Sequence, residues 1–308
     1  MPVTQPCYAL VDWGTTNLRL WLVDADGAVL AERQSAEGMG NLSTDQFAGV
    51  LETHLAALGA PADLPVMMAG MVGARTGWVE VPYAVAPADL TTLADSAFDV
   101  PQTARPVAIL PGVCQTTPLP HDVMRGEETQ LAGAVADGLV SAVFCLPGTH
   151  SKWAIVEDGR LSRFATVMTG ELFSLLSRQS ILRLTIDADA TTEPGMPEFA
   201  EGVRQGLRPG FALSAELFSF RAAALLAGLT PTSAAARLSG MLIGAEIAAM
   251  ASQIDNNATI YIVGSDRLTA LYRAGLSHAG LACEALDGAS LVRKGLFAAA
   301  RLKYGRKN

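Results

Sequence analysis

The chain has 308 residues, half of them hydrophobic and 17% charged, with 22 basic and 30 acidic side chains and a formal charge of -8. That supplies core material for one large or two medium domains, and the acidic balance argues against nucleic acid as the main partner while allowing a small anion in a locally positive cleft. No run of about 18 apolar residues and no basic, apolar, small-residue leader pattern is present, so the expectation is a cytoplasmic chain that meets no membrane. The most apolar stretch, "SGMLIGAEIAAMA", is interrupted by Glu246. Cys7, Cys114, Cys145 and Cys283 form no C-x-x-C pair, which suggests neither a zinc site nor a disulfide framework and fits a reducing compartment.

Strands come first along the chain. Tyr8 to Trp13 reads as a buried strand, Leu18 to Asp24 as a second and Ala28 to Gln34 as a third, the last two joined by "DADG"; together they predict an antiparallel meander. Ser43 to Leu58 reads as a helix with Ser43 as N-cap, since Phe47, Val50, Leu51, Leu55 and Leu58 recur at helical spacing. "PVMMAG" is a short buried strand ending in glycine, and "PVAILPG" is another strand-and-turn unit. The Pro- and Ala-rich part from Val81 to Arg105 between them yields no assignment. "RGEETQLAGAVADG" reads as a helix with acids in its first turn and glycine at its end.

Residues 141 to 167, "SAVFCLPGTHSKWAIVEDGRLSRFATV", repeat the opening design: apolar run, Gly-Thr turn, basic residue, strand, "DG" turn, strand. The interval from Gly148 to Asp158 is slightly shorter than that from Gly14 to Asp26, which an altered hairpin tip absorbs. A duplicated strand module followed by helices predicts two similar α/β domains facing each other. A Gly-Thr turn aims backbone N–H groups and hydroxyls at one spot and so makes a nest for phosphate oxygens. Two such nests would hold the phosphates of one nucleotide. Asp12, at the strand tip, suits Mg2+ held through coordinated waters, and Arg19 and Lys152 would offset phosphate charge. Either turn alone is an ordinary hairpin feature.

"DWGTTN", "MAGMVG", "MRGEETQL", "LPGTHSKW", "VMTGEL", "GMLIGAE" and "IVGSDRLTALY", spread from about residue 8 to about residue 300, resemble the 2-keto-3-deoxygalactonokinase family, a sugar kinase branch of the actin, Hsp70 and hexokinase superfamily. The resemblance implies an α/β chain of two RNase H-like (actin-like ATPase) domains, residues 1–133 and 134–308, with a nucleotide and substrate cleft between them and a terminal helix from Gly295 at their junction. It implies phosphoryl transfer from ATP, with Mg2+, to the terminal hydroxyl of 2-dehydro-3-deoxy-D-galactonate. Asp12, Gly14, Thr15 and Thr16 match the first phosphate motif, and Gly148, Thr149, His150, Ser151 and Lys152 the second. Gly264 and Ser265 match the adenosine motif, although Asp266 follows where a second glycine is common.

For the base on the sugar hydroxyl, "RGEETQ" offers Glu127 and Glu128, with Glu127 ranked first. The alternative for both is electrostatic support of a helix N-terminus. Arg125 is the economical partner for the sugar-acid carboxylate, and Met71 and Gly73 would line the same pocket, with Glu171, Trp78 and Tyr83 as weaker choices. His54, His121 and His278 receive no role. A homo-oligomer is left open. Three other readings stand beside this one: a kinase for another sugar or keto-deoxy acid, an ATP switch of the actin or Hsp70 kind, and a hydrolase built on Cys145 and His150.

Overall fold

The computed structural model describes residues 5–255 and 258–305. The chain divides into two compact units. The first takes the described residues up to 141, together with 156–163 and those from 288 on; the second takes 142–155 and 164–287.

The first unit opens with the expected meander, β1 (Tyr8–Trp13), β2 (Leu18–Val23) and β3 (Val29–Ser35), each pair antiparallel. β1 and β2 are nearly continuous apolar runs and are buried, whereas the Glu, Arg and Gln of β3 leave it a solvated edge, a placement that discourages pairing with other chains. α1 (Phe47–Ala57) starts four residues later than the sequence predicts. Ser43 does not cap it. Its hydroxyl donates to Asp45 Oδ1, while its N–H donates to Gln46 Oε1, and a turn fills the gap before Phe47. There follow β4 (Val66–Ala69), β5 (Ala84–Val85), β6 (Ala88–Asp89), β7 (Phe98–Asp99), β8 (Val107–Ile109), β9 (Val113–Gln115), β10 (Asp122–Met124) and α2 (Glu127–Ala136). The main sheet runs β3-β2-β1-β4-β8-β7, and β5, β9 and β10 form a small second sheet. β1, β4 and β8 are parallel. Trp78 stacks on Phe47, which tilts against Trp13, so Trp78 is a core residue rather than a sugar contact.

The second unit holds β11 (Ala142–Leu146), β12 (Ser151–Glu157) and β13 (Arg160–Val167), then α3 (Thr169–Arg178), α4 (Pro197–Gly206), α5 (Leu213–Leu226), α6 (Pro231–Ala251), β14 (Ile260–Val263), α7 (Asp266–His278) and β15 (Cys283–Leu286). The order β15-β14-β11-β12-β13 repeats β8-β4-β1-β2-β3 strand for strand, and β11, β14 and β15 are parallel as β1, β4 and β8 are. The duplicated module seen in the sequence is a duplicated topology. The tip of the β12–β13 hairpin is grouped with the first unit, where Arg160 and Leu161 pair with Asp89 and Ala88 of β6.

α6 is the one helix among the described residues long and apolar enough to cross a membrane, yet two-thirds of its apolar window is buried within the fold. The reason is its contact with α4. A Cβ at Gly202 or Gly206 would lie 2.1 Å or 2.3 Å from carbonyl oxygens of α6, and one at Gly240 or Gly244 would lie 2.1 Å or 2.4 Å from those of α4. Glycine at four paired positions lets the two backbones touch.

α8 (Gly288–Tyr304) begins seven residues before the expected Gly295, and it belongs to the first unit. It packs on α2 at the same close range, since a Cβ at Gly133 would lie 1.9 Å from Leu291 O and one at Gly295 would lie 2.1 Å from Thr129 O. The division therefore differs from residues 1–133 and 134–308: α2 runs past 133, and the terminal helix returns to cover it.

Candidate active site

In the first unit the parallel strands end together, the place where open α/β sheets bind ligands. β1 ends in Asp12 and Trp13, and residues 14–17 form a turn closed by Gly14 N–H on Asn17 O at 2.9 Å. The turn is seated from behind: the carbonyls of Gly14 and Thr15 accept from Met39 N and Gly40 N, each at 2.9 Å. A Cβ at Gly38 would stand 2.2 Å from the Thr16 carbonyl carbon, so only glycine fits there. The sequence reading missed this support, although the close pair of glycines in "EGMGN" was a usable signal. Asp12 Oδ2 accepts from Arg19 Nη2 at 2.6 Å across the strand register. An open cavity of about 610 Å3 is lined by Asp12, Gly14, Thr16, Asn17 and Arg19.

Beside it, β4 ends at Gly70, whose φ of +98° and approach to Trp13 O (2.8 Å from a Cβ) both demand glycine. Met71 to Gly73 then make a single 3-10 turn. Gly126, at the head of α2, also has positive φ and lies against Gly70, so "MAGMVG" and "MRGEET" meet. Arg125 Nη2 donates to Val81 O at 2.7 Å, the guanidinium lies 4.3 Å from the Tyr83 ring centroid, and a Cβ at Gly73 would sit 3.0 Å from Nη1. Arg125 Nε and Nη1 are buried and have no hydrogen-bond acceptor. The expected Arg125 and Gly73 are thus neighbours.

Glu127 and Glu128 open α2 but face different surroundings. Glu127 is partly exposed, with Oε2 accepting from Arg125 N at 3.2 Å. Glu128 is fully buried, and its oxygens accept from Gly126 N at 2.9 and 2.7 Å and from Thr129 Oγ1 at 3.2 Å. Burial, aided by the charge of Glu127, pushes the Glu128 carboxyl up to about 7 against the lowering effect of its backbone donors.

In the second unit β11 ends in the turn 147–150, and a cavity of about 520 Å3 opens there, within the range of small-ligand pockets. Gly148 and Thr149 line it from the turn, Thr169 and Gly170 from α3, and Arg267 and Tyr272 from α7. α3 is locked to the turn by Glu171 N donating to Thr149 O at 3.0 Å and by Gly170, where a Cβ would lie 2.5 Å from Gly148 O. His150 Nε2 and Glu171 Oε2 are 2.5 Å apart, so Glu171 joins the second Gly-Thr turn, whereas Arg125 belongs to the other unit. Lys152 is only 5% exposed, with Nζ 3.4 Å from His150 O. Gly264 follows β14 and lies against Pro147, and Ser265 is the N-cap residue of α7, two residues before the pocket-lining Arg267.

Two buried residues lie beside this turn, Cys145 as the strand thiol that its apolar run predicts and Glu246 as a residue the sequence leaves without a role. Cys145 is fully buried, and burial first, then the charge of Glu246, raises its thiol well above the ordinary range, which disfavours the thiolate that a hydrolase pair with His150 would need. Glu246, which in the sequence only interrupts the most apolar stretch, is buried and accepts from Ser151 Oγ and Trp153 Nε1, both at 2.7 Å, from Tyr272 OH at 2.6 Å, and from Thr169 Oγ1.

The sequence matches the family model for 2-keto-3-deoxy-galactonokinase over residues 12–299. It is 46% identical to the protein of Rhizobium meliloti (strain 1021) named probable 2-dehydro-3-deoxygalactonokinase DgoK1, over 97% of this chain and 98% of that one. It is 35% identical to the 2-dehydro-3-deoxygalactonokinase of Escherichia coli (strain K12), over 94% and 96% respectively. A crystal structure from Sinorhizobium meliloti, described as of a protein assigned to the same kinases, superposes with a TM-score of 0.92 at 45% identity, covering 96% of this chain and 99% of that one. At 11% identity the (R)-2-hydroxyglutaryl-CoA dehydratase component A of Acidaminococcus fermentans still superposes with a TM-score of 0.51, covering 97% and 98%, and shares the fold alone. That fold is α/β with two RNase H-like units, the actin-like ATPase type. The chain belongs to the 2-keto-3-deoxy-galactonokinase family.

Proposed function

We propose that the protein transfers the γ-phosphoryl group of ATP to the terminal (6-) hydroxyl of 2-dehydro-3-deoxy-D-galactonate in galactonate breakdown. Kinship over nearly the whole chain with proteins named for this activity supports the reaction class. The observation that carries the sugar-acid half is Arg125, whose buried Nε and Nη1 lack any acceptor and whose guanidinium packs closely against Gly73. Buried guanidinium N–H groups that have charge and no acceptor suit an anionic oxygen such as that of a carboxylate.

In this reading Arg125 anchors the acid end, and Met71 and Gly73 line its surroundings. Glu127 is the base: it opens α2 next to Arg125 and remains partly exposed, whereas the oxygens of Glu128 are buried and taken by the chain. Glu127 orients the hydroxyl and accepts its proton late, since phosphoryl transfer asks the protein mainly for positioning and charge balance. Asp12, Gly14, Thr15 and Thr16 in the first unit, and Gly148, Thr149, His150, Ser151 and Lys152 in the second, serve the ATP phosphates. Because the Ser151 hydroxyl faces Glu246, Ser151 contributes its backbone. The second-unit cavity takes the nucleoside, with Gly264 and Ser265 setting the start of α7. Glu171 holds His150.

The donor set suits Mg2+. Among the described residues no three His, Cys, Asp or Glu side chains cluster, and a lone carboxylate such as Asp12 matches an ion that keeps most of its waters. Bound there, the ion would neutralise charge on the transferring phosphates. The test is ADP release with Mg-ATP over a panel of keto-deoxy sugar acids, aldonic acids and plain hexoses. The keto-deoxy galactonate is expected to give the highest kcat/KM; preference for a hexose would remove the substrate, and ADP release independent of any sugar would point to an ATP switch instead.

A further inference from the structure

Glu246 lies inside α6 and is 2% exposed. Its Oε1 accepts from Ser151 Oγ and Trp153 Nε1, and its Oε2 from Tyr272 OH and Thr169 Oγ1. Four donors meet the four lone-pair directions of one carboxylate. All four are neutral groups. A carboxylate held in the interior by neutral donors is expensive to desolvate, and an apolar side chain would continue the helix without that penalty.

The donors come from three elements: α3 and α7 carry walls of the second-unit cavity, and β12 continues the turn that lines it. Ser151 and Trp153 follow Gly148 and Thr149 directly; Thr169 lies in the first turn of α3 beside Gly170; Tyr272 belongs to α7, with Arg267 and Leu268 one turn earlier. Thr169 and Tyr272 themselves line the cavity. We propose that Glu246 is a positioning residue that fixes the Gly-Thr turn, the head of α3 and the wall of α7 against one another, and that this registration sets the affinity of the cavity for a nucleotide. The inference rests on the nucleotide reading of this cavity. Tyr272 is raised well above its ordinary range by burial first and then by the Glu246 charge, which keeps its hydroxyl a donor to that carboxylate.

Glu246→Gln keeps the volume but offers one acceptor oxygen in place of two. The indole N–H is only a donor, so the amide nitrogen must face two hydroxyls that have to turn away, and the α3 and α7 walls loosen. Calorimetric titration of the full-length protein with ADP, followed by steady-state kinetics, is the experiment. Expected are a tenfold or greater rise in Kd for ADP and in KM for ATP, with KM for the keto-deoxy acid within twofold and kcat within threefold of the parent. Tyr272→Phe, which removes one donor and keeps the ring, should weaken ADP about threefold, and it decides the matter if Glu246→Gln does not fold. Unchanged ADP affinity in the folded variant, or equal rises in both KM values, overturns the proposal. If the parent protein binds neither ADP nor ATP, the nucleotide reading of the cavity fails first, and the proposal fails with it.

Discussion

Glu127 and Glu128 are adjacent in sequence yet differ in what each can do, because one helix turn points them into different surroundings. Glu127→Gln removes the proposed proton acceptor without changing size, so kcat should fall by about 10²- to 10⁴-fold while KM for ATP stays within a factor of a few; initial-rate kinetics with both substrates varied would check this, and an unchanged kcat would exclude Glu127 as the base. Glu128 gives a stability prediction. Its folded value of about 7 lies above the ordinary 4.5, so between those values the folded state holds a proton that the unfolded state has released. Stability from this group is therefore full below about pH 4.5 and is lost as pH rises to about 7, in total about 3 kcal/mol. Glu128→Gln abolishes that loss. Urea unfolding at pH 5 and pH 8 should show the variant gaining on the parent as pH rises; parallel curves would mean that Glu128 ionises in the fold as easily as in water.

At the level of elements, contact between backbones explains helices that side-chain periodicity alone does not. The α4–α6 pair uses Gly202 and Gly206 against Gly240 and Gly244. Gly240→Ala would bring a Cβ to 2.1 Å from Phe199 O, and that oxygen is backbone that cannot swing aside. We expect a loss of at least ~2 kcal/mol, read from the urea midpoint. Gly49→Ala in α1, where a Cβ meets nothing within 4 Å, should instead stabilise by about 0.5–1 kcal/mol. Similar responses at the two positions would remove close packing as the cause. Both meanders are legible in the sequence because their apolar runs end in "DG" and Gly-Thr turns, a local code. Residues 81–105 are not, since β5, β6 and β7 are two residues each, too short to show a period, and β5 and β6 exist only through the more distant β9 and β13. Glu246 is hidden for the same reason: its donors stand 26, 77, 93 and 95 residues away.

Across the whole molecule, the sequence repeat predicts how ligands should divide between the two units. The two Gly-Thr turns and the head of α2 are legible because each follows a strand and carries a glycine, whereas their seating depends on chain approach, for which the sequence offers the glycine pair of "EGMGN" at Gly38 and no comparable pair at Gly170. The cavity lined by Thr149, Thr169 and Tyr272 lies wholly in the second unit, and the cluster of Gly70, Gly73, Arg125 and Glu127 wholly in the first. Hydrogen exchange should separate them. A ligand at a hundred times its Kd stabilises the folded state by about 2.7 kcal/mol, so amides that exchange only through opening of its site slow about a hundredfold. ADP should protect residues 148–152, 169–173 and 267–272, and the keto-deoxy acid alone should protect residues 70–73 and 124–128. Protection by ADP confined to the first unit, or by the sugar acid confined to the second, would reverse the assignment of the two sites and with it the role of Arg125.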